Sequence, residues 1–173
     1  IGGGDWAKDR LVPDAIRALY QKKEIYIRNP TFTRPWQHVL EPLYGYLLLA
    51  EKLYLTEKNV KSPNKNIFSS SFNFGPKLES NKTVSDLINQ MLIYWPGKWV
   101  IQKEIKNFHE AKLLHLNIDK AFSQLEWIPK WDFDLTVKRT VNWYKNFYIN
   151  DISPYSLCLK DIDLYMNHPS KLK

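Results

Sequence analysis

The segment Arg34-Pro35-Trp36-Gln37-His38-Val39-Leu40-Glu41-Pro42 carries more structural information than any other part of this chain. Trp36 to Val39 is rich in strand-forming side chains and reads as a short strand. Glu41-Pro42 then opens a helix, because a proline in the first helical turn gives up an N–H that has no partner there anyway. From Glu41 to Leu53 the residues Leu43, Tyr46, Leu47, Ala50 and Leu53 recur at helical spacing, an apolar stripe expected to face a core. Along the chain helices alternate with short strands, so the class is α/β or α+β.

Working outward, Gly2-Gly3-Gly4-Asp5-Trp6 reads as a turn at a strand end, since glycine adopts positive φ without cost. The chain starts at Ile1, so the strand that would feed this turn is expected to be missing. Asp9 to Lys22 has helical spacing, with Leu11, Ile16, Leu19 and Tyr20 on one face and Pro13 in the first turn. Glu24 to Arg28 is a β-rich stretch stopped by Asn29-Pro30. Beyond the central helix, residues 56–66 form a polar loop, and Ile67 to Phe74 reads as a strand closed by Gly75-Pro76. Thr83 caps a helix to Tyr94, which Pro96-Gly97 ends. Trp99 to Gln102 is a short strand. Residues 117–125, Phe133 to Tyr148 (with Val137, Val141, Tyr144 and Tyr148 on one side) and Ser156 to Met166 are helices. Cys158, inside the last of these, is expected to be inert packing.

The 173 residues suffice for one domain, 44% of them are hydrophobic, and no apolar run approaches the ~20 residues of a membrane span. One cysteine forms no internal disulfide, and no signal-peptide pattern heads the chain, so a cytoplasmic location is expected. The net charge of +7 suits an anionic partner, but the excess is diffuse, with no basic run of the kind that marks nucleic-acid binding. No pair among His38, His109, His115 and His168 has metal-ligand spacing.

Taken jointly and in order, several motifs are similar to those of the CDP-glucose 4,6-dehydratases, members of the extended short-chain dehydrogenase/reductases. They are Ile1-Gly2-Gly3-Gly4-Asp5-Trp6-Ala7, Asp9-Arg10-Leu11-Val12-Pro13-Asp14, Ile27-Arg28-Asn29-Pro30, Arg34 through Pro42, Gly45 to Ala50, Asn73-Phe74-Gly75-Pro76, His109-Glu110-Ala111 and Trp127-x-Pro129-x-Trp131. The resemblance implies an α/β fold: the C-terminal part of an NAD(P)-binding Rossmann-like enzyme. Residues 1–173 would form a partial single domain, with the substrate-binding lobe and the last Rossmann strand and helix but without the N-terminal Rossmann half. It implies CDP-glucose as substrate and CDP-4-keto-6-deoxyglucose as product, made by transient oxidation at C4, loss of water across C5–C6 and hydride return to C6. It also implies tightly bound NAD, held by the missing N-terminal half, a homodimer for the full-length enzyme, no membrane or nucleic-acid partner, and a place in making deoxy sugars of surface polysaccharides such as O-antigen.

The family's Gly-x-x-Gly-x-x-Gly turn, its Tyr-x-x-x-Lys pair and its elimination acid and base all precede Gly2 in family order, so no catalytic residue is expected here. Tyr54-Leu55-Thr56-Glu57-Lys58 and Tyr94-Trp95-Pro96-Gly97-Lys98 match Tyr-x-x-x-Lys literally. The first lies where a helix frays into a polar loop, and the second is broken by Pro96 and Gly97. What remains is gripping a nucleoside diphosphate, for which arginine's rigid fork of donors is the preferred clamp. Arg34 is the first candidate, against the plainer reading of a surface arginine paired with Glu41. Arg10 and Leu11 match positions that line the nucleotide pocket in relatives, although Arg10 also suits an exposed first turn. Tyr26 and Arg28 fall in the strand that passes the base, where a flat ring could stack on cytosine. Asn73 matches a substrate-contacting Asn but is also a common turn former. His109 and Glu110 match a segment beside the diphosphate. Two departures stand out: Leu113 replaces a family Tyr, and Glu126 stands where a Gly before Trp127 is usual. The competing readings are another nucleotide-sugar dehydratase or epimerase of the superfamily, and a non-catalytic basic binding module.

Overall fold

The structure, a computed structural model, describes residues 1–58, 67–102 and 111–169. Along the chain run α1 (Leu11–Tyr20), β1 (Ile25–Ile27), β2 (Thr33–Pro35), α2 (Leu40–Lys58), β3 (Asn81–Thr83), α3 (Val84–Tyr94), β4 (Trp99–Ile101), α4 (Asp119–Leu125), α5 (Phe133–Asn150) and α6 (Pro154–Met166). β1 and β4 pair in parallel, Ile25 opposite Trp99 and Ile27 opposite Ile101. β2 and β3 pair antiparallel, Arg34 opposite Lys82.

Local chemistry sets the helix ends. At α3 the Thr83 hydroxyl accepts from the Asp86 N–H at 3.0 Å, and the Asp86 carboxylate accepts from the Thr83 N–H at 3.0 Å. This reciprocal box satisfies two donors that a helix start leaves open. Asp132 caps α5 and Ser153 caps α6, with Pro154 in its first turn. Glu126 and Asp151 close α4 and α5 in the left-handed region, at φ 54° and 52°.

The main core gathers around α5. Val137, Val141 and Tyr144 meet Val12, Ala15, Ile16 and Leu19 of α1, Leu87, Ile88 and Met91 of α3, and the inward Ile25 and Ile27 of β1. Each fully buried aliphatic side chain contributes roughly 1.5–3 kcal/mol. A second cluster joins Phe68, Phe74, Ala121, Leu125 and Trp127 to Tyr44, Leu48, Leu49 and Leu53.

Glu41 ties the two regions together. It is fully buried, and its carboxylate accepts from the backbone N–H of Lys130 (3.0 Å) and Trp131 (2.7 Å) and from the Tyr165 hydroxyl (2.6 Å). Burial pushes its carboxyl above the ordinary range, while Tyr165, the two backbone donors and the charge of Lys130 pull it back.

Several expectations need correction. The strand before α2 falls at Thr33–Pro35 instead of Trp36 to Val39. In 36–39 the Val39 N–H reaches the Ile1 carbonyl at 2.8 Å, but His38 points inward and no ladder forms. Ile67 to Phe74 buries Phe68 and Phe74 yet is not a strand, because no strand lies beside it among the described residues. The helix after Glu41 is longer than expected, so residues 56–58 are helical; residues 59–66 of the expected loop lie outside the described residues. Its buried side is also different. Leu43, Tyr46, Leu47 and Ala50 are exposed, while Gly45, Tyr44, Leu48 and Leu49 face the second cluster. Tyr20 is half exposed, and Cys158 is exposed, on the outer side of α6.

Candidate functional site

One hollow of about 630 Å³ lies where the entry to α1, the end of β1 and the path from β2 into α2 converge, a size common for small-ligand sites. Asp9, Arg10 and Leu11 form one wall, Ile27, Arg28 and Asn29 a second, and Arg34 to Val39 a third. Pairing of β2 with β3 fixes Arg34, and the Trp36 indole N–H donates to the Lys82 carbonyl at 2.9 Å, fastening the third wall to β3.

The arginines differ in how they are held. The Arg34 guanidinium donates to its neighbour Thr33's carbonyl at 2.7 Å and to the Ala111 carbonyl at 2.9 Å, with the Phe32 ring 5.8 Å away. Arg34 thus reaches the residue that follows Glu110 in sequence. Arg10 pairs with Asp5 at 3.1 Å, in a side chain two-thirds exposed. For Asp5, desolvation works upward, but the Ala7 N–H and Arg10 outweigh it and hold the carboxyl below its usual value. Arg28 follows β1 and is exposed at the rim.

His38, which by sequence reads either as a substrate-facing residue or as a hydrogen-bonded strand histidine, also lines the hollow. It is 2% exposed, and its Nδ1 accepts from the Leu40 N–H at 3.3 Å, which places the ring proton on Nε2. No hydrogen-bond partner for Nε2 is found among the described residues. Burial, then the N-terminal ammonium and Arg139, push the imidazole down to about 3, so it is neutral near pH 7. Gln37, a lining residue without a sequence signal, donates to the Phe74 carbonyl at 2.6 Å. The motif Arg34 through Pro42 contains both residues, but nothing in their spacing marks them out from ordinary strand residues.

The other expected site residues are placed as follows. Leu11 is in the wall. Tyr26 points to the opposite face of β1, 62% exposed, and lines an adjoining hollow that also holds Asp9 and Arg28. Asn73 is exposed and is not brought to the hollow; its segment is attached through Phe74 and Gln37 instead. His109 and Glu110 lie outside the described residues. The alternative partnership of Arg34 with Glu41 does not form, since Glu41 is buried against Lys130, Trp131 and Tyr165.

Both Tyr-x-x-x-Lys matches have exposed lysines. The Lys58 ammonium sits 4.5 Å from the centre of the Tyr54 ring, over its face and away from a buried hydroxyl, and Tyr54 is 57% exposed. Lys98 is exposed beyond the Pro96–Gly97 break. Among the described residues no group of three His, Cys, Asp or Glu side chains could hold a metal ion, and no helix is long and apolar enough to cross a membrane.

The glycines near the N-terminus do not form a dinucleotide cradle. A Cβ on Gly3 would lie 2.0 Å from Trp143 Cδ2, so the space is filled by an indole. Trp6 completes that packing against Trp143, Tyr144, Phe147 and Tyr148. The Tyr144 hydroxyl donates to the Asp5 carbonyl at 2.7 Å and accepts from the Asp5 N–H at 3.0 Å.

No family model matches the chain. It is 44% identical over 147 residues to the CDP-glucose 4,6-dehydratase of Salmonella typhimurium, covering 84% of this chain and 38% of that protein. Its fold is similar to that of dTDP-glucose 4,6-dehydratase from Bacillus anthracis, solved with NAD, at a TM-score of 0.63 and 16% identity, covering 84% of this chain and 42% of that one. The chain therefore spans well under half the length of either protein, and a C-terminal portion fits that coverage. In sequence the chain is thus similar to a CDP-glucose 4,6-dehydratase, and its partial α/β fold matches part of a nucleotide-sugar 4,6-dehydratase of the short-chain dehydrogenase/reductase type.

Proposed function

We propose that this chain is the substrate-gripping part of an enzyme that converts CDP-glucose to CDP-4-keto-6-deoxyglucose with loss of water, and that it is inactive alone. The observation that carries the proposal is the convergence of Arg10, Arg28 and Arg34, from three separate elements, on one hollow. A diphosphate presents anionic oxygens at several angles, and guanidinium groups arriving from different sides answer that shape better than one strong pair. The buried, neutral His38 lines the same hollow without adding charge.

The hydride chemistry and its NAD belong, in this reading, to sequence outside the chain: Gly2 packs against Val39, Gly3 and Gly4 face Trp143, and the lysines of both Tyr-x-x-x-Lys matches are exposed. Leu113, 73% exposed where the family carries a Tyr, favours a second reading in which the sugar or base differs from glucose or cytosine.

The test is a titration of the 173-residue chain with CDP-, dTDP-, UDP- and GDP-glucose, followed by backbone amide shifts. CDP-glucose is expected to move the amides of residues 9–11, 27–29 and 34–39 at the lowest concentration, without turnover. Arg34→Ala is expected to weaken that binding by about 1.5–3 kcal/mol, the loss of a hydrogen bond to a charged group. Unmoved amides at these positions, or turnover by the chain alone, would overturn the proposal. Preference for another nucleotide would favour the second reading.

A further inference from the structure

We infer that a second anion site lies at the other end of α1, built for a small phosphorylated molecule with a flat apolar body. The ten residues of α1 set the two places about 15 Å apart. The second hollow, about 750 Å³, opens between the C-terminal end of α1, the turn after α3 and the last turns of α5.

Its floor is apolar. Leu19 and Trp95, 4% and 8% exposed, form the base. Tyr20 stands at the side, stacked on Tyr148 with ring centres 4.2 Å apart. Gly97 allows the walls to close, because a Cβ there would lie 2.3 Å from Leu19 Cδ2.

The rim is cationic. Lys22, Lys23, Lys98 and Lys145 surround the hollow, and Glu24 is the one carboxylate among its lining residues. Helix C-termini attract lysines on their own account, and α1 and α3 both end here. Lys145 answers that need for α3, donating to the Tyr94 carbonyl at 3.2 Å. The other three exceed it: Lys22, Lys23 and Lys98 make no ion pair among the described residues.

Their backbones are also fixed in place. The Lys22 N–H donates to Leu19 at 3.1 Å, the Lys23 N–H donates to Ala18 at 2.8 Å, and the Lys98 carbonyl accepts from Ile25 at 2.9 Å. Like charges held together over an apolar floor match a ligand that brings both an anion and a ring. Phosphate suits compact ammonium donors, which can turn to meet its oxygens.

The experiment titrates the chain with phenyl phosphate, inorganic phosphate and benzoate, reading amide shifts. Phenyl phosphate is expected to move the amides of residues 19–24 and 97–98, with a Kd at least tenfold below that of either fragment-like control. The double variant Lys23→Glu, Lys98→Glu, changed at two exposed side chains, is expected to raise that Kd at least tenfold while leaving the CDP-glucose shifts at 34–39 in place. Arg34→Ala is expected to do the reverse, so failure here and failure of the proposed substrate site are separable. Equal affinity for phenyl phosphate and inorganic phosphate, shifts confined to 9–11, 27–29 and 34–39, or indifference to the double charge reversal would overturn the inference.

Discussion

Around α5 and under α2 the chain buries side chains of the same kinds, but the two regions are enclosed to different degrees. Around α5, helices α1 and α3 and the paired strand β1 close on Val137, Val141 and Tyr144 from several sides. Under α2, Phe74, Leu125 and Trp127 meet one side of the helix, while Leu43, Tyr46, Leu47, Tyr54 and Leu55 face outward. Residues 67–74 have strand-like composition in this second region but no ladder among the described residues. The difference teaches that side-chain burial alone does not make a strand: the backbone needs a hydrogen-bonded neighbour.

If the two regions are held together mainly at Glu41, removing its carboxylate should have the largest effect on stability. Glu41→Ala leaves the Lys130 and Trp131 N–H groups and the Tyr165 hydroxyl without their acceptor. The expected loss is about 3–5 kcal/mol, the range for breaking a buried charged network from one side. Urea unfolding of the variant measures it. A loss below ~1 kcal/mol would mean that the two regions do not depend on this junction.

The two tight glycines probe the regions separately. On Gly3 a Cβ would lie 2.0 Å from Trp143, and on Gly45 it would lie 2.4 Å from Phe74. By distance alone the two clashes are similar. Trp143, however, is held on a helix among Trp6, Tyr144 and Phe147, whereas Phe74, although it meets Tyr46, Phe72 and Trp127, stands on a segment outside any helix or strand. Gly3→Ala is expected to cost about 3 kcal/mol and Gly45→Ala about 1 kcal/mol, the two ends of the overpacking range. Equal losses in thermal unfolding would show the second region to be as rigid as the first.

The same contrast explains what could be read from the residues. The helix from Thr83 to Tyr94 was legible because its start and stop signals are local: Thr83 with Asp86, then Pro96-Gly97. β1 and β4 were legible because Ile25 and Ile27 alternate with the exposed Tyr26, and Trp99 to Ile101 are β-branched or aromatic. The buried face of α2 was not. With Leu43, Tyr44, Tyr46, Leu47, Leu48 and Leu49 within about two turns, helical spacing fits more than one face. What selects the face is the approach of Phe74 to Gly45, a contact that periodicity does not encode. In the site, Arg10, Arg28 and Arg34 came from the resemblance, and the structure brings them to one hollow. His38 stayed undecided between a substrate-facing and an ordinary strand histidine, and Gln37 was missed, because burial with an unsatisfied ring nitrogen, and a bond to the Phe74 carbonyl, arise only from tertiary packing.

The smallest expected effect compares one cap geometry in both regions. Glu126 ends α4 at φ 54° and Asp151 ends α5 at φ 52°, so both residues occupy the left-handed conformation that glycine takes most cheaply. At α4 the Trp127 N–H reaches back to Ala121 at 3.2 Å and the Glu126 N–H to Phe122 at 3.0 Å, so the turn is formed despite the strain of its side chain. Asp tolerates this conformation better than Glu, because its short polar side chain bonds locally. Glu126→Gly is expected to raise stability by about 0.5–1 kcal/mol, net of the greater freedom glycine gives the unfolded chain, and Asp151→Gly by less. Thermal unfolding reads the global gain, and amide exchange along α4 reads the local one. A gain at Glu126 visible only in exchange would mean that the region under α2 opens ahead of the core around α5. A gain of equal size in both measurements would mean that the two regions unfold as one.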